Sequence, residues 1–143
     1  MINIKIPSQL SDYIDQEIIY PDNIQFGKKD LKDFLRLSQD KTDIHNPEIT
    51  EQPVIPGNMI LMKLPRFIQQ MIKVEEIQSV MTVGYDKISF KSPLHIDQEF
   101  KLSLTCTNLR KRGETYFLSQ EIKLKHPADS MIFCQIQIND LYR

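Results

Sequence analysis

The sequence predicts an α+β fold, a single domain in which an antiparallel β-sheet wraps around one long apolar helix. The helix is indicated by the segment from Asn58 to Ile72, which is apolar on nearly every side and therefore belongs inside the protein. The sheet is indicated by four strand-length runs in the C-terminal half, separated by proline or glycine. A chain of 143 residues is the usual size of one domain. We therefore assign residues 1–143 to one domain. Residues 1–24 form a lead-in segment, the part of the domain for which the sequence pattern is least clear.

The N-terminal third predicts short elements that lead into one amphipathic helix. Isoleucines at alternate positions from Ile2 to Ile6 are typical of a short strand, and residues 13–27 read as an extended segment. From Asp30 to Leu37 apolar side chains recur at helical spacing, with charged residues on the other face. Residues 41–56 contain three prolines and no helical or strand period, so they predict a loop.

The C-terminal half predicts the apolar helix and the strands around it. Pro65 should kink the helix, because proline removes a backbone donor and clashes with the preceding turn. Residues Phe100 to Cys106 alternate between apolar and polar side chains, as in a half-buried antiparallel strand. A tight turn is predicted at Arg110–Gly113 and a looser one near Pro127. The four predicted strand runs are 77–90, 99–113, 114–125 and 130–143.

Composition excludes several classes of function. A formal net charge of −1 gives no electrostatic case for binding nucleic acid or an anionic membrane. The longest apolar run is interrupted by Lys63 and Arg66, so no membrane span is predicted, and no signal peptide is recognisable. We expect a cytoplasmic protein in which Cys106 and Cys134 are reduced core residues. The three histidines lack metal-ligand spacing, so no metal is predicted.

The candidate functional residues lie between the first helix and the start of the apolar helix. Asp40 and His45 are five positions apart and precede a Pro-Gly turn at Pro56–Gly57. An acid, an imidazole and the N-terminus of a buried helix are parts that acyl chemistry can use together. Two alternatives stay open: Asp40 is a helix-end residue and His45 an ordinary loop histidine, or Asp43 replaces Asp40 as the acid. His95 and His126 lie in turns, where we expect no chemistry.

Three motifs in order give the chain a family resemblance. Their counterparts here are LSQDKTDIH (Leu37–His45), PVIPGNMILMKLP (Pro53–Pro65) and VGYDKISF (Val83–Phe90), followed by Ser92-Pro93-Leu94. On these motifs residues 25–143 resemble the MaoC-like dehydratases, in particular the branch related to nodulation protein N. The resemblance implies a hot-dog fold, the name for an antiparallel sheet wrapped around a long helix. It also implies reversible syn-hydration of a trans-2-enoyl thioester to an (R)-3-hydroxyacyl thioester.

The resemblance assigns a role to each candidate residue. His45 takes a proton from water, while Asp40 holds that water and supplies or shuttles the second proton. Backbone N–H groups at Gly57 and Asn58 meet the developing enolate oxygen. The substrate is an acyl-CoA or acyl-carrier-protein thioester, which brings its own CoA or phosphopantetheine, so no other cofactor is expected. A homodimer with sites near its interface is expected, and Met59 and Met62 are candidates for the acyl pocket, although a core role for both stays open.

Departures from the family pattern leave other functions open. Thr42 stands where the family has Asn or Gln, Pro56 replaces a histidine, and Met62 replaces a small serine. The Pro56–Gly57 turn resembles that of the acyl-carrier-protein dehydratases of fatty-acid synthesis. The alternatives are a non-catalytic acyl-thioester binding or assembly protein and a hot-dog thioesterase. Five basic residues either contact a carrier or form a solvated face: Lys87, Lys91, Arg110, Lys111 and Arg112.

Overall fold

The computed structural model describes residues 1–143 and contains two α-helices and seven β-strands. The helices are α1 (Lys28–Ser38) and α2 (Gly57–Met71). The strands are β1 (Ile2–Ile4), β2 (Glu17–Ile19), β3 (Ile72–Val74), β4 (Val80–Phe90), β5 (Lys101–Arg112), β6 (Thr115–Lys125) and β7 (Ile132–Tyr142). Short 3₁₀ turns cover Pro7–Tyr13 and Asp43–His45. Neither α-helix combines the length and hydropathy needed to cross a membrane.

Five of the strands form one antiparallel sheet in the order β2-β5-β6-β7-β4. The four predicted strand runs correspond to β4, β5, β6 and β7, so the strands are confirmed. Only β5, β6 and β7 follow one another as a meander, because β4 pairs with β7 at the far edge and not with β5. The sheet has an inner face because successive side chains along a strand point to opposite sides. In β6, Leu118, Ile122 and Leu124 are buried, while the residues between them are more exposed or polar. The inner face and helix α2 share one core of 29 buried residues. This α+β arrangement confirms the predicted hot-dog fold.

Helix α1 confirms the predicted amphipathic helix and extends it slightly at both ends. Leu31 and Phe34 are buried, whereas the Lys29 and Asp33 side chains pair on the solvent face at 3.0 Å. Gln39 adopts a left-handed backbone conformation with φ 56° and ends the helix. The chain therefore leaves α1 directly into the loop that contains the candidate residues.

Helix α2 confirms the predicted apolar helix, but it is not enclosed on every side. Met59, Leu64 and Met71 are at most 1% exposed, whereas Met62 is 49% exposed. The expectation of a helix apolar and enclosed nearly all round was wrong for Met62, because that side chain shares the outer face with polar neighbours. The helix continues through Pro65 to Met71, so the predicted kink stays a prediction.

Two features of the lead-in segment depend on long-range pairing. Strand β1 lies parallel to β3, with Ile2 opposite Ile72, and β2 pairs with β5 at the sheet edge. The parallel pairing brings the start of the chain against the segment that follows α2. The two cysteines, Cys106 and Cys134, are free and buried, as predicted.

Candidate active site

The loop between α1 and α2 is held in place by backbone hydrogen bonds. Val54 N–H donates to the Ile44 carbonyl at 2.8 Å, and Ile55 N–H donates to the Leu94 carbonyl at 2.7 Å. Val54 also forms an isolated β-bridge with His95. These bonds explain how a loop with three prolines reaches a defined position without being a strand or a helix. They position His45 beside the start of α2.

The His45 side chain has a defined tautomer. Its Nδ1 lies 2.6 Å from the Val54 carbonyl oxygen. A carbonyl oxygen only accepts hydrogen bonds, so Nδ1 carries the proton and donates it. In the neutral ring Nε2 is then unprotonated and able to act as a base. This is the orientation that a histidine needs in order to take a proton from water.

His45 lines a cleft of about 300 Å³ in which the start of α2 is also exposed. Gly57 and Ile60 of α2 form one wall, and Phe133 of β7 belongs to another. Most of the remaining lining residues come from the end of β4 and the segment after it, including Phe90, Ser92 and Leu94. The cleft therefore combines one imidazole with a mainly apolar surface, which is the usual composition of a small-molecule site.

The first turn of α2 presents backbone donors at this cleft. No side chain caps this end of the helix. The N–H groups of Met59 and Ile60 donate to the Pro56 carbonyl, and they are the first N–H groups of the helix that have an acceptor. The amides of Gly57 and Asn58 have no acceptor within the protein. Free N–H groups and the positive end of the helix dipole favour a negatively charged oxygen at this position.

The Phe90 ring lies directly against Gly57. A Cβ atom added at Gly57 would lie 2.4 Å from Phe90 Cζ and 2.6 Å from Cε2, far inside van der Waals contact. Only glycine allows this close approach without displacing the ring. Phe90 is itself 50% exposed, because it lies on the edge strand β4. The ring therefore borders the cleft at the point where the free amides are found.

Asp40 lies close to this site but not in the cleft. It is partly exposed, and its Oδ1 accepts a hydrogen bond from the Thr42 N–H at 2.9 Å. Hydrogen bonds from the Thr42 side chain and backbone, and then the charge of His45, hold the pKa of Asp40 below its ordinary value. The carboxylate form is therefore favoured. Asp40 does not line the cleft that contains His45.

The structure brings some of the predicted residues together and separates others. His45 and Gly57 line one cleft, and the Asn58 amide follows in the same turn. Met59 is fully buried in the core, and Met62 faces outward, so neither lines the cleft. The alternative acid, Asp43, is exposed in the 3₁₀ turn and also does not line it.

Sequence reasoning identified His45 and Gly57 but missed the other residues that line the cleft, among them Phe90, Lys91 and Ser92. Phe90 was read only as the last residue of a strand, Lys91 only as one of five basic residues, and Ser92 only as part of a turn before Pro93. The Ser92 Oγ atom is buried and has no hydrogen-bond partner. The signal in the sequence was that the GYDKISF strand and the Pro-Gly turn both belong to the motifs of the family resemblance. No group of three His, Cys, Asp or Glu side chains is arranged to bind a metal ion.

One long helix held in a five-stranded antiparallel sheet defines the class of hot-dog proteins, and solved structures share it. A MaoC-like dehydratase from Rhodospirillum rubrum is similar over 93% of this chain and 94% of its own, with a TM-score of 0.71 and 11% identity. A C-terminally truncated HadBC complex, a 3R-hydroxyacyl-ACP dehydratase from Mycobacterium tuberculosis, covers 91% of this chain and 97% of its own (TM-score 0.70, 12% identity). An (R)-hydratase from A. caviae involved in PHA biosynthesis covers 89% and 94% (TM-score 0.66, 19% identity).

These likenesses establish the fold. At 11–19% identity they leave the reaction to be argued from the residues of this chain. No family model matches the sequence, and no curated protein matches it. The nodulation-protein-N branch of the resemblance stays a prediction.

Proposed function

We propose that this protein is an (R)-specific enoyl-thioester hydratase or, in reverse, a 3-hydroxyacyl-thioester dehydratase. The observation that carries the proposal is the His45 ring, which is oriented by Val54 with Nε2 free, in the same cleft as Gly57 at the start of α2. A base beside backbone donors is what addition of water to an enoyl thioester requires. The substrate is an acyl-CoA or acyl-carrier-protein thioester. The hot-dog fold, shared with a solved (R)-hydratase and a 3R-hydroxyacyl-ACP dehydratase, is consistent with this chemistry.

In the proposed reaction His45 moves the proton. Its Nε2 removes a proton from water as the water oxygen bonds to the β-carbon of the substrate. The electron pair of the double bond moves toward the thioester carbonyl and forms an enolate. The imidazolium then returns a proton to the α-carbon on the same face, so that one water is added overall and no other reactant is needed.

Asp40 acts through its negative charge in this scheme. Since its lowered pKa favours the carboxylate, it is better suited to stabilising the His45 imidazolium than to supplying a proton. That modifies the role implied by the family resemblance, in which Asp40 holds the water. The Gly57 and Asn58 amides donate to the enolate oxygen.

The acyl chain is proposed to lie along the apolar wall of the cleft. Ile55, Ile60, Leu94 and Phe133 supply this wall in place of the expected Met59 and Met62. A volume of about 300 Å³ lies at the lower end of the range for ligand sites and favours a short acyl chain.

A homodimer formed through strand β4 is part of the proposal. Strand β4 pairs with β7 on one side only and is an edge of the sheet. An edge with exposed apolar side chains is a surface that soluble proteins normally cover. Pairing two β4 strands places the cleft, which Phe90 borders, close to the interface. Six large apolar side chains of β4 are exposed: Val80, Met81, Val83, Tyr85, Ile88 and Phe90.

The test of the reaction is the loss of ultraviolet absorbance of crotonyl-CoA and of a longer trans-2-enoyl-CoA. We expect wild-type protein to hydrate at least the shorter substrate and His45→Gln to lower kcat by about 10²–10⁴-fold. Asp40→Asn should lower it less, because it removes a charge outside the cleft. The same measurement is repeated with acyl-carrier-protein thioesters as substrates.

His95→Gln is the matched control for this experiment. The His95 ring is anchored in the same way, with Nδ1 2.9 Å from the Gln52 carbonyl oxygen, but it does not line the cleft. The His95→Gln variant should hydrate the substrate at the wild-type rate. Equal loss of activity in the His45 and His95 variants would contradict the assignment of the base.

A non-catalytic acyl-thioester binding protein is the second candidate, and the position of Asp40 outside the cleft favours it. In that case both CoA and carrier-protein thioesters bind, no turnover occurs with either, and His45→Gln leaves their affinity unchanged. A thioesterase is not favoured, because it needs a carboxylate aimed at the carbonyl and no Asp or Glu lines the cleft.

A further inference from the structure

The Phe90 ring is the part of the cleft wall that lies against the start of α2. A Cβ atom built on Gly57 would be 2.6 Å from the ring atom Cε2 and closer still to Cζ, so the ring edge is packed against the Gly57 Cα atom. Both residues line the cleft that contains His45. The Gly57 amide nitrogen is bonded to that Cα atom, and its N–H has no acceptor within the protein. An aromatic ring and a free backbone donor therefore share one small region of the cleft.

The backbone on both sides of Phe90 is fixed by hydrogen bonds and strand pairing. Phe90 is the last residue of β4 and lies opposite Cys134 of β7, a buried residue, so its side chain points to the inner face of the sheet. The N–H groups of the next two residues, Lys91 and Ser92, donate to the Phe133 carbonyl at 2.8 Å and 3.3 Å. The ring itself is 50% exposed, because β4 is an edge strand. The fold thus determines where the ring lies and leaves its outer side in contact with solvent.

We propose that Phe90 is a specificity-determining residue that selects acyl thioesters without a branch at the α-carbon. This inference rests on the proposed function, in which the Gly57 amide binds the thioester oxygen, and extends it to the class of substrate. The oxygen that accepts from this amide is one bond from the thioester carbon and two bonds from the α-carbon. The Phe90 ring packs against the atom next to the same amide, so it occupies the space that a substituent on the α-carbon needs.

The proposed reaction limits how far a branched substrate can move away from the ring. The α-carbon receives its proton from the His45 imidazolium, while the thioester oxygen stays bound to the Gly57 amide. These two requirements hold the substrate on both sides of the α-carbon. A branched thioester therefore has to displace the Phe90 ring toward solvent, which is possible because the ring is half-exposed. We expect selection against the branch to be modest for this reason.

The experiment compares hydration of crotonyl-CoA with hydration of 2-methylcrotonyl-CoA, followed by ultraviolet absorbance. Wild type, Phe90→Ala, Phe90→Leu and Phe90→Trp are measured, and the quantity compared is the ratio of kcat/KM for the branched substrate to kcat/KM for crotonyl-CoA. This ratio does not depend on the fraction of active protein, so a partly unfolded variant still gives a valid result. The ratio should rise about fivefold in Phe90→Ala, the factor that corresponds to about 1 kcal/mol. It should rise less in Phe90→Leu and fall in Phe90→Trp.

Phe117→Ala is the matched control variant. It removes the same ring from β6 of the same sheet, and Phe117 does not line the cleft. Its ratio should equal that of wild type. The control substrate is trans-2-hexenoyl-CoA, which is longer than crotonyl-CoA but has no branch, and its kcat/KM relative to crotonyl-CoA should be the same in wild type and the Phe90 variants.

Isothermal titration with saturated thioesters gives a second readout that does not depend on turnover. Butyryl-CoA and 2-methylbutyryl-CoA differ by the same α-methyl group. Relative to butyryl-CoA, the branched ligand should bind about fivefold more tightly to Phe90→Ala than to wild type, the factor that again corresponds to about 1 kcal/mol.

The outcomes separate failure of the inference from failure of the proposed function. If wild type hydrates crotonyl-CoA and both ratios are the same in wild type and all three Phe90 variants, the role of Phe90 is disproved and the hydratase stands. A gain for trans-2-hexenoyl-CoA without one for the branched substrate, or an equal rise in Phe117→Ala, also overturns the inference. If wild type binds thioesters without turnover, the titration alone decides the role of Phe90 and the hydratase proposal fails. If wild type neither binds nor hydrates thioesters of CoA or carrier protein, both proposals fail.

Discussion

Gly57 and Phe90 are in such close contact that one methyl group added at Gly57 would alter the site. Gly57 shows no left-handed φ, so alanine would be acceptable to the backbone there, and only the Phe90 ring opposes the additional methyl group. The close contact connects the start of α2 with the edge strand β4. Any movement of this ring changes access to the amides of Gly57 and Asn58.

Gly57→Ala is expected to lower the free energy of unfolding by about 1 kcal/mol or less, because the atoms that it meets are the outer end of the half-exposed Phe90 ring, which can shift toward solvent. In a Phe90→Ala background the same substitution should cost nothing, because the ring that it contacts is absent. Chemical denaturation of the four proteins of this double-mutant cycle measures the coupling. Equal effects of Gly57→Ala in both backgrounds would show that the ring contact does not limit this position.

Strand β4 is the element on which both the cleft and the proposed dimer depend. Its register with β7 shifts between Thr82 and Gly84 and again between Tyr85 and Lys87, which marks two β-bulges. From Lys87 to Phe90 the pairing is regular. Bulges twist an edge away from further pairing, so the regular segment is the part best suited to meet a second copy.

Ile88→Lys is expected to convert the proposed dimer to a monomer, because it buries a charge in an apolar interface. Ile19→Lys is the matched control, since Ile19 is exposed on β2 at the opposite edge of the same sheet. Size-exclusion chromatography with light scattering measures the mass of each variant. A dimeric Ile88→Lys protein, or a monomeric wild type, would be evidence against pairing through β4.

At the scale of the whole molecule, the buried cysteines make stability depend on alkaline pH. Burial raises the pKa of Cys106 to about 11 and that of Cys134 to about 12, from an ordinary value of 9.0. Above pH 9 the unfolded chain loses these thiol protons while the folded protein keeps them. The unfolded state then binds fewer protons, so stability falls as pH rises. Burial also raises the pKa of Tyr142, which acts in the same direction.

The free energy of unfolding should therefore be independent of these thiols below pH 9 and decrease between about pH 9 and 12. In the double variant Cys106→Ala/Cys134→Ala, the free energy of unfolding should decrease less over this pH range. The decrease that remains is the one due to Tyr142. Urea titrations at pH 7, 9 and 10.5 measure the difference. Thiol reagents should also label the native protein slowly and the unfolded protein fast. An identical pH slope in wild type and double variant would count against this account.

Local sequence pattern was sufficient for the main elements of the fold. The apolar run that became α2, the amphipathic spacing of α1 and the alternation in β5 are properties of neighbouring residues, so a window of the sequence contains them. The sequence also predicted that His45 and the start of α2 belong to one site, but the hydrogen bonds of Val54 and Ile55 are what bring the loop to that position. Buried, reduced cysteines followed from their positions in strands.

Tertiary structure alone decided which side chains meet. The parallel pairing of β1 with β3, the position of Asp40 outside the cleft and the exposure of Met62 depend on contacts between distant segments. Ser92 and Phe90 belong to the cleft only because β4 runs past the first turn of α2. The helices and strands could be predicted from the sequence because their patterns are local, while the candidate base was implied by the family resemblance. The cleft required the folded chain, because its walls come from segments far apart in sequence.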